Sequence, residues 1–388
     1  MTRPYRLAIL HQGCIPTYRR AFYEQLAKTP GREYVVFHGD PEPGSGVTAA
    51  QGPFSFPNVW VRNRFFSVLG RTIIYQSAVG RIVRGGFDAL IIGHEIKFIS
   101  SMLLFLRFHL SGKPVILWGH GRASDIVDRR AVGRAVSKLV ERIKRGMIRG
   151  AAGYLAYTES TASYVIEAGM ARQRVSVLYN TIDISSEIAT HAKASMLDRT
   201  ALRRELGLSA TSTVVTFLGR LIAAKQAELL VDTVRLLRDR DGCNVELLII
   251  GTGPEEGNIR ARLRGVGWGQ CLGSIRSDDR MSHIFRVTDA VVIPGIVGLV
   301  VNHAFAHGVP VITRRLSIQV PEIEYIKHGC NGLILEPDNF VSGLKEFVES
   351  SELKIRLSAG ALQTRGTLSL EVMVEKFNAL VEHTINYG

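Results

Sequence analysis

The chain has 388 residues, more than one hydrophobic core usually accommodates, so two domains are expected. Its composition is 46% hydrophobic and 21% charged with 38 glycines, which excludes a disordered, collagenous or coiled-coil protein. Of the net charge of +13, +12 lies in the first half, because residues 1–190 contain 25 Lys and Arg against 13 Asp and Glu.

Cysteine usage and apolar runs indicate the compartment. The four cysteines are far apart and form no C-x-x-C pair, and the chain starts without a secretory signal pattern. The longest apolar stretch, residues 98–110, contains Arg107 and is too short to span a bilayer. We therefore expect a cytoplasmic protein without a transmembrane helix.

Short apolar runs alternate with helix-like segments along both halves, a pattern typical of parallel sheets with helices on both faces. The predicted strands of the first half are YRLAIL, DALIIG, KPVILWG, AGYLAYT and VSVLYN. Those of the second half are TVVTFLG, VELLIIG, AVVIPG, PVITR and GLILE. This predicts two doubly wound α/β domains, with ligand sites outside the carboxyl ends of the strands.

The domain boundaries follow from composition. Residues 1–186 form the basic first domain, residues 187–212 are polar without strand signals and are predicted to be a linker, and residues 213–366 form the second domain. Residues 367–388 carry apolar side chains at helical spacing. We expect this last helix to pack on a core, with packing across the domain junction as an alternative.

Residues 129–149 predict an amphipathic helix with one apolar stripe and one cationic face. The basic residues are Arg129, Arg130, Arg134, Lys138, Arg142, Lys144, Arg145 and Arg149. The basic face could rest on an anionic bilayer, or the helix could simply pack its apolar stripe on its own domain. No nucleic-acid-binding module accompanies the charge, so nucleic acid is not an expected partner.

Two glycine-containing turns follow strands of the second half. FLGRLIAAK brings Gly219, Arg220 and Lys225 together ahead of a helix, an arrangement that suits a diphosphate, although solvated loop charges explain it equally well. Gly251 and Gly253 follow the next strand, but a third glycine stands one position too late for a dinucleotide fingerprint. A tight turn accounts for this second motif equally well.

A third turn leads into a short helix. Gly295 and Gly298 precede Leu299 and Val300, where unpaired N–H groups at a helix start could receive phosphate oxygens. His303 lies about one turn into this helix and would then lie beside whatever the phosphate carries. A histidine in this position also has an ordinary structural interpretation.

The order of these motifs resembles the donor half of the retaining glycosyltransferases of family four, which have the GT-B architecture. The resemblance is carried by GRLIAAK, GTGP, GSIRSDDRMSHIFRVTDAVVIPG, GLVVNHAFAHGVPVI and PEIEYIKHGCNGLI, in that order. In the first half WGHG, LYNTID and PTYRRAF are similar to family landmarks. The resemblance implies two facing Rossmann-like domains with a cleft between them and no cofactor or metal.

The resemblance also implies residue roles for transfer from a UDP-type or GDP-type sugar. Arg220, Lys225 and His120 would be catalytic, with the two cations on the diphosphate and His120 facing the donor sugar. The other donor-binding positions would be Gly219, Gly251, Gly253, Gly273, Ile275, Gly295, Gly298, Leu299, Val300, His303 and Glu324. The acceptor side would include Gly13, Tyr18 and Arg19.

One departure concerns a pair of glutamates that the family usually carries around the short helix. Their positions are Gly295 and His303 in this chain. A histidine can hydrogen-bond a ribose diol, whereas glycine cannot replace a carboxylate, so sugar recognition must use other groups. A non-catalytic basic binding protein on the same scaffold and a sugar-nucleotide epimerase remain as alternatives.

The expected function is transfer of a sugar to a lipid-linked or growing glycan, of the bacterial polysaccharide or lipopolysaccharide type. We expect the protein to be peripheral at the inner face of a membrane, with an anionic membrane surface as a partner.

Overall fold

The computed structural model describes residues 3–68, 71–121, 131–317 and 320–387, and the chain divides into two units. The first unit comprises residues 1–183 and 370–388, and the second comprises residues 184–369. Each unit is built on one parallel sheet, as the alternating pattern predicts.

The first unit has a seven-stranded sheet in the order β3-β2-β1-β6-β7-β8-β9, in which every neighbouring pair is parallel. A separate antiparallel pair, β4 and β5, precedes its second helix. The strands are β1 (Tyr5–Leu10), β2 (Arg32–His38), β3 (Asn58–Trp60), β4 (Asn63–Val68), β5 (Arg71–Gln76), β6 (Ala89–Gly93), β7 (Val115–Gly119), β8 (Gly153–Ala156) and β9 (Val175–Val177). The helices between them are α1 (Arg20–Leu26), α2 (Val79–Arg84), α3 (Ile99–His109), α4 (Ala131–Gly150) and α5 (Glu159–Glu167).

The second unit has a six-stranded parallel sheet in the order β12-β11-β10-β13-β14-β15. Its strands are β10 (Thr213–Leu218), β11 (Val245–Ile250), β12 (Gly269–Gly273), β13 (Ala290–Ile293), β14 (Val311–Arg314) and β15 (Gly332–Leu335). Its helices are α6 (Ser185–Ser195), α7 (Arg199–Glu205), α8 (Ala227–Asp239), α9 (Glu256–Arg262), α10 (Asp278–Val287), α11 (Val300–Ala306), α12 (Phe340–Glu349) and α13 (Ser351–Arg365).

The segment predicted as a linker, residues 187–212, is largely helical and belongs to the second unit. Helix α7 buries Leu202, and Leu208 follows it into the same apolar cluster as Val214. Arg203 is also buried and donates hydrogen bonds to Ser212 O at 2.8 Å and to Asp289 at 3.4 Å. Although this segment is polar overall, a few of its side chains are buried and attach it to the sheet.

The last helix, α14 (Leu370–Tyr387), returns to the first unit. Met373, Phe377 and Val381 are fully buried among residues of the β1–β7 part of the sheet. The Phe377 ring lies 5.6 Å from that of Trp118. The apolar side chains of this last helix thus form part of the first unit's core.

The amphipathic helix predicted over residues 129–149 is α4. Arg129, Arg130 and the side chain of Arg134 lie outside the described residues. Met147 and Ile148 pack into the core of the first unit, which is the structural interpretation of the apolar stripe. Lys144 does not belong to the exposed cationic face: it is buried, and this burial lowers the pKa of its ammonium. Within the described residues, every helix is too short or too polar to cross a bilayer.

Candidate functional site

The connectivity of the second sheet reverses between β10 and β13, which are hydrogen-bonded neighbours. From β10 the chain proceeds outward through β11 and β12, and from β13 it proceeds the other way through β14 and β15. Such a switch point leaves a crevice at the carboxyl ends of the strands, where ligands of open α/β sheets bind. The motifs after β10 and after β13 therefore meet at this position.

The glycines after β11 support the loop after β10. A Cβ atom on Gly251 would overlap the carbonyl oxygen of Gly219, and one on Gly253 would overlap that of Leu221. The two loops are joined by hydrogen bonds from Leu221 N to Thr252 O at 2.9 Å and from Glu255 N to Leu221 O at 3.0 Å. The close approach that requires glycine here is thus made by the protein's own backbone.

Lys225 lies in a 3-10 turn at Ala223–Lys225, directly before α8. Its Nζ donates hydrogen bonds to Ile296 O at 3.0 Å and to Val297 O at 2.7 Å, in the segment that leads into α11. Burial lowers the pKa of Lys225 to about 8, and the nearby charge of Glu322 opposes this shift. An ammonium has three donors, so one N–H is left for a ligand.

Arg220 follows Gly219 on the same loop and is exposed. Among the described residues, no hydrogen-bond or ion-pair partner is found for its guanidinium. A fork of donors on a loop at the switch point suits a phosphate group. Arg220 and Lys225 therefore lie on the same loop after β10, where Arg220 is exposed and Lys225 is held by carbonyl groups.

Gly295 has no room for a side chain. Its N–H donates to Lys225 O at 3.1 Å, and the next N–H, from Ile296, donates to Ala224 O at 3.0 Å. A Cβ atom on Gly295 would overlap the carbonyl oxygen of Ala224. A glutamate at this position would displace the turn that carries Lys225, which is the physical reason for glycine here.

Helix α11 begins at Val300, with Leu299 as its N-cap residue and Gly298 before it at φ 70°. The N–H groups of its first turn have no intrahelical acceptor. A Cβ on Gly298 would lie 3.8 Å from Lys225 Nζ, so the ammonium is adjacent to this helix start.

His303 is paired with a carboxylate that sequence reasoning missed. Its Nδ1 lies 2.8 Å from Glu187 Oε1, on helix α6. The two residues are 116 positions apart in sequence, and Glu187 stands in the segment predicted as a linker. No local pattern signals this contact.

The remaining donor-side predictions lie at the edges of the same site. Gly273 ends β12 and its carbonyl accepts from Gly251 N at 2.8 Å, while Ile275 is partly buried against the apolar cluster of the second unit. Glu324 lies in a 3-10 turn at Pro321–Tyr325. Within that turn it is Glu322, buried at 6% exposure, whose charge acts on Lys225. The role of Glu324 stays a prediction.

The predicted acceptor-side residues lie in the first unit, around a pocket of about 290 Å³ that they line together with His120. This pocket is also at a switch point, because the strand order reverses between β1 and β6. Gly13 and Tyr18 line it, and Arg19 is buried beneath with its guanidinium bonded to Asn180 and 5.4 Å from the Trp118 ring. The ring of His120 lies 4.5 Å from that of Tyr157.

Comparison with known proteins accounts for both halves of the chain. The family model described as "Glycosyltransferase Family 4" matches residues 20–186, and the one described as "Glycosyl transferases group 1" matches residues 212–350. The chain belongs to the family-four glycosyltransferases.

Two relatives and one solved structure illustrate this membership. A D-inositol 3-phosphate glycosyltransferase of Corynebacterium glutamicum is 29% identical over 47% of this chain and 46% of its own length, so this alignment spans about half of the relative. One of the same description from Corynebacterium efficiens is 26% identical over 76% of this chain and 72% of its own length. The crystal structure of Anabaena HepE in complex with UDP has a TM-score of 0.67 at 17% identity, covering 98% of this chain and 100% of that one. The expected GT-B architecture is confirmed for this glycosyltransferase.

Adding one methyl group at Gly295 tests how the Lys225 turn is held. We expect Gly295→Ala to destabilise the second unit of this glycosyltransferase by about 1–3 kcal/mol, because overpacking forces the backbone apart. The measurement is urea unfolding followed by the fluorescence of Trp268, which lies in the second unit. Gly257→Ala is the matched control, since nothing lies within 4 Å of its added Cβ. Equal stability of the two variants would contradict the packing role.

Proposed function

We propose that the protein transfers a sugar from a nucleoside-diphosphate donor to a hydroxyl of a glycan or lipid-linked acceptor. The observation that carries the proposal is the position of Lys225 Nζ at the switch point, hydrogen-bonded to Ile296 O and Val297 O beside the start of α11. Arg220 on the same loop is exposed, has no partner within the described part of the chain, and adds a second cation. Together they suit a diphosphate leaving group.

The two cations also supply the main catalytic effect in this proposal. Negative charge builds on the diphosphate as the glycosidic bond breaks, and fixed cations stabilise that charge without further reorganisation. By resemblance to the family, the transfer retains the anomeric configuration, and the departing phosphate helps to deprotonate the incoming hydroxyl on the same face. Arg220 and Lys225 neutralise the leaving group, so no step is assigned to a metal.

The donor and acceptor classes draw on the relatives. The Anabaena neighbour is described as a complex with UDP, which favours a UDP-sugar as donor. The Corynebacterium relatives are described as acting on D-inositol 3-phosphate, a polyol acceptor. In this chain the pocket of the first unit, lined by Tyr18, Trp118 and Tyr157, offers aromatic faces on which a sugar or polyol ring can stack.

Removing either cation tests the proposal. We expect Arg220→Ala and Lys225→Ala each to reduce turnover of the donor at least thirtyfold, since losing one such interaction costs ~2 kcal/mol or more of transition-state stabilisation. The measurement is release of free nucleoside diphosphate from a panel of UDP-sugars and GDP-sugars. Arg264→Ala is the control, because this exposed arginine precedes β12 and so lies at the opposite ends of the strands.

The product of that assay separates the alternatives. A glycosyltransferase releases nucleoside diphosphate, an epimerase returns a nucleotide sugar, and a non-catalytic scaffold binds donor without releasing anything. Unchanged turnover in both cation variants would show that the diphosphate does not bind at this site.

The pKa of Lys225 gives the site a defined pH dependence. Burial lowers this pKa to about 8, so the ammonium loses its charge as the pH rises through 8. A second phosphate ionisation has a pKa near 6, and the uracil and guanine bases lose a proton only above about pH 9, so between pH 7 and pH 8.5 the ligand charge changes little. We expect the affinity for UDP or GDP to fall between pH 7 and pH 8.5 in the wild-type protein, with proton uptake on binding near pH 8. Calorimetric titrations in two buffers measure both quantities. The same slope in Lys225→Ala would assign the effect to another group.

We also propose that the first unit attaches to an anionic membrane surface at the cytoplasmic face, where the acceptor is presented. Helix α3 and its C-cap residue Leu110 expose a leucine stripe, Leu103, Leu106 and Leu110, at 47%, 54% and 74% exposure. Helix α4 adjoins α3 where Gly150 meets the Phe105 and His109 side chains, and it exposes Lys138 and Arg142. An apolar stripe beside basic residues is typical of interfacial helices.

Replacing two leucines of the stripe with serine tests this attachment. We expect Leu106→Ser/Leu110→Ser to weaken binding to vesicles of 70% phosphatidylcholine and 30% phosphatidylglycerol at least tenfold, because each buried leucine contributes about 1.5–3 kcal/mol. Ile355→Ser is the control, since Ile355 is 71% exposed on α13 of the second unit. Cosedimentation at low and high salt gives the measurement. Equal binding to neutral vesicles at high salt would contradict an electrostatic contribution.

A further inference from the structure

His303 and Glu187 form a side-chain pair at the edge of the donor site. The two atoms His303 Nδ1 and Glu187 Oε1 are 2.8 Å apart, and the His303 side chain is 37% exposed while that of Glu187 is 18% exposed. The second carboxylate oxygen, Glu187 Oε2, is buried and has no hydrogen-bond partner. The carboxylate therefore directs its one hydrogen bond to the histidine.

Helix α6 holds Glu187 firmly. Glu187 lies in the first turn of α6, where the helix dipole favours a negative side chain. The preceding residue, Ser186, donates a hydrogen bond to Asp278 at the start of α10. The carboxylate thus approaches His303 from a helix attached to the body of the second unit.

This contact fixes the hydrogen-bonding character of the imidazole ring. A carboxylate accepts, so Nδ1 carries the proton that it donates to Glu187, and in the neutral ring Nε2 is then an acceptor. Among the described residues, no partner is found for Nε2. A carboxylate that holds one ring nitrogen and orients the other toward a ligand is a general arrangement in histidine sites.

The position of the ring limits which ligand groups it can meet. His303 lies three residues after Val300, on the helix whose start adjoins Lys225 Nζ. If the diphosphate lies at Lys225, its two neighbours in the donor are the ribose and the transferred sugar, and in free UDP or GDP the ribose diol alone remains to meet the ring. A hydroxyl of that diol can donate to Nε2.

We propose that Glu187 is a positioning residue for the donor: it holds Nδ1–H of His303 and thereby presents Nε2 as an acceptor to a ribose hydroxyl. This inference rests on the proposed function. It assigns to α6, a segment without any recognisable motif, a part in nucleotide recognition that acts through a histidine.

Binding of UDP and GDP and of their 2′-deoxy analogues, measured by calorimetry, tests the proposal. We expect the wild-type protein to prefer the ribonucleotide, and Glu187→Ala and His303→Ala each to weaken its binding about fivefold to tenfold, as expected for one hydrogen bond. Binding of the 2′-deoxy analogue should change less than twofold. Glu187→Gln, which keeps an acceptor for Nδ1–H, should restore part of the affinity.

A double-variant cycle distinguishes positioning from a merely structural effect. If Glu187 acts only through His303, Glu187→Ala/His303→Ala should bind no more weakly than His303→Ala alone. The nitrogen NMR signals of His303 should report an Nδ1-protonated ring in the wild-type protein and lose that preference in Glu187→Ala. Lys193→Ala, an exposed change on the same helix, is the control.

The outcomes separate this inference from the function on which it rests. Full additivity of the two variants, or equal losses for the ribonucleotide and deoxynucleotide, would overturn the role of Glu187. If at the same time Lys225→Ala abolished binding, the proposed function would stand. A wild-type protein that bound neither UDP nor GDP would overturn both.

Discussion

The candidate site of the second unit depends on one local contact: the turn that carries Lys225 is fastened to the segment between β13 and α11. Two backbone hydrogen bonds, from Gly295 to Lys225 O and from Ile296 to Ala224 O, join the loops of neighbouring strands across the switch point. The Lys225 ammonium adds two further bonds to Ile296 O and Val297 O. These bonds fix the cation beside the helix start, at the point where the strand order reverses.

This contact explains one difference between this chain and its family at position 295. A position that carries a glutamate in the resembling family is glycine here, which suggests a lost function when the sequence is considered alone. In the structure the backbone of the Lys225 turn occupies the space of that side chain. Glycine at 295 therefore allows the ammonium to lie close to α11. In the proposed function, the sugar must then be recognised by another group.

Much of the fold follows from the sequence because parallel strands buried on both faces are continuous apolar runs. Strands β1, β6, β7, β10, β11 and β13 are all of this kind, and their buried patterns agree with the predicted segments. Strand β12, with the sequence GQCLG, has weak strand propensity and is only half-buried at the sheet edge, so it gave no signal. Strand β4 is largely exposed, and the sequence between β4 and β5 lacks the Asn-Gly or Asp-Gly pair that most strongly predicts a hairpin.

The candidate site likewise combines residues that are close in the sequence with residues that are far apart in it. Arg220 and Lys225 stand five residues apart on one loop, so their spacing is visible in the sequence. Glu187 reaches His303 from 116 positions away, and a segment of ordinary polar composition gives no indication that one of its carboxylates is directed inward.

Because of this contact, the negative charge beside His303 belongs to Glu187 on α6 and not to a residue of α11. A carboxylate on α11 would meet a ligand directly, whereas the carboxylate of Glu187 lies behind the imidazole ring of His303. Helix α11 thus presents no carboxylate beside Arg220 and Lys225, while the neutral ring keeps Nε2 as an acceptor for a hydroxyl. In the proposed complex the diphosphate lies close to that surface, so a histidine backed by a partly buried carboxylate would meet the hydroxyl without repelling the phosphates.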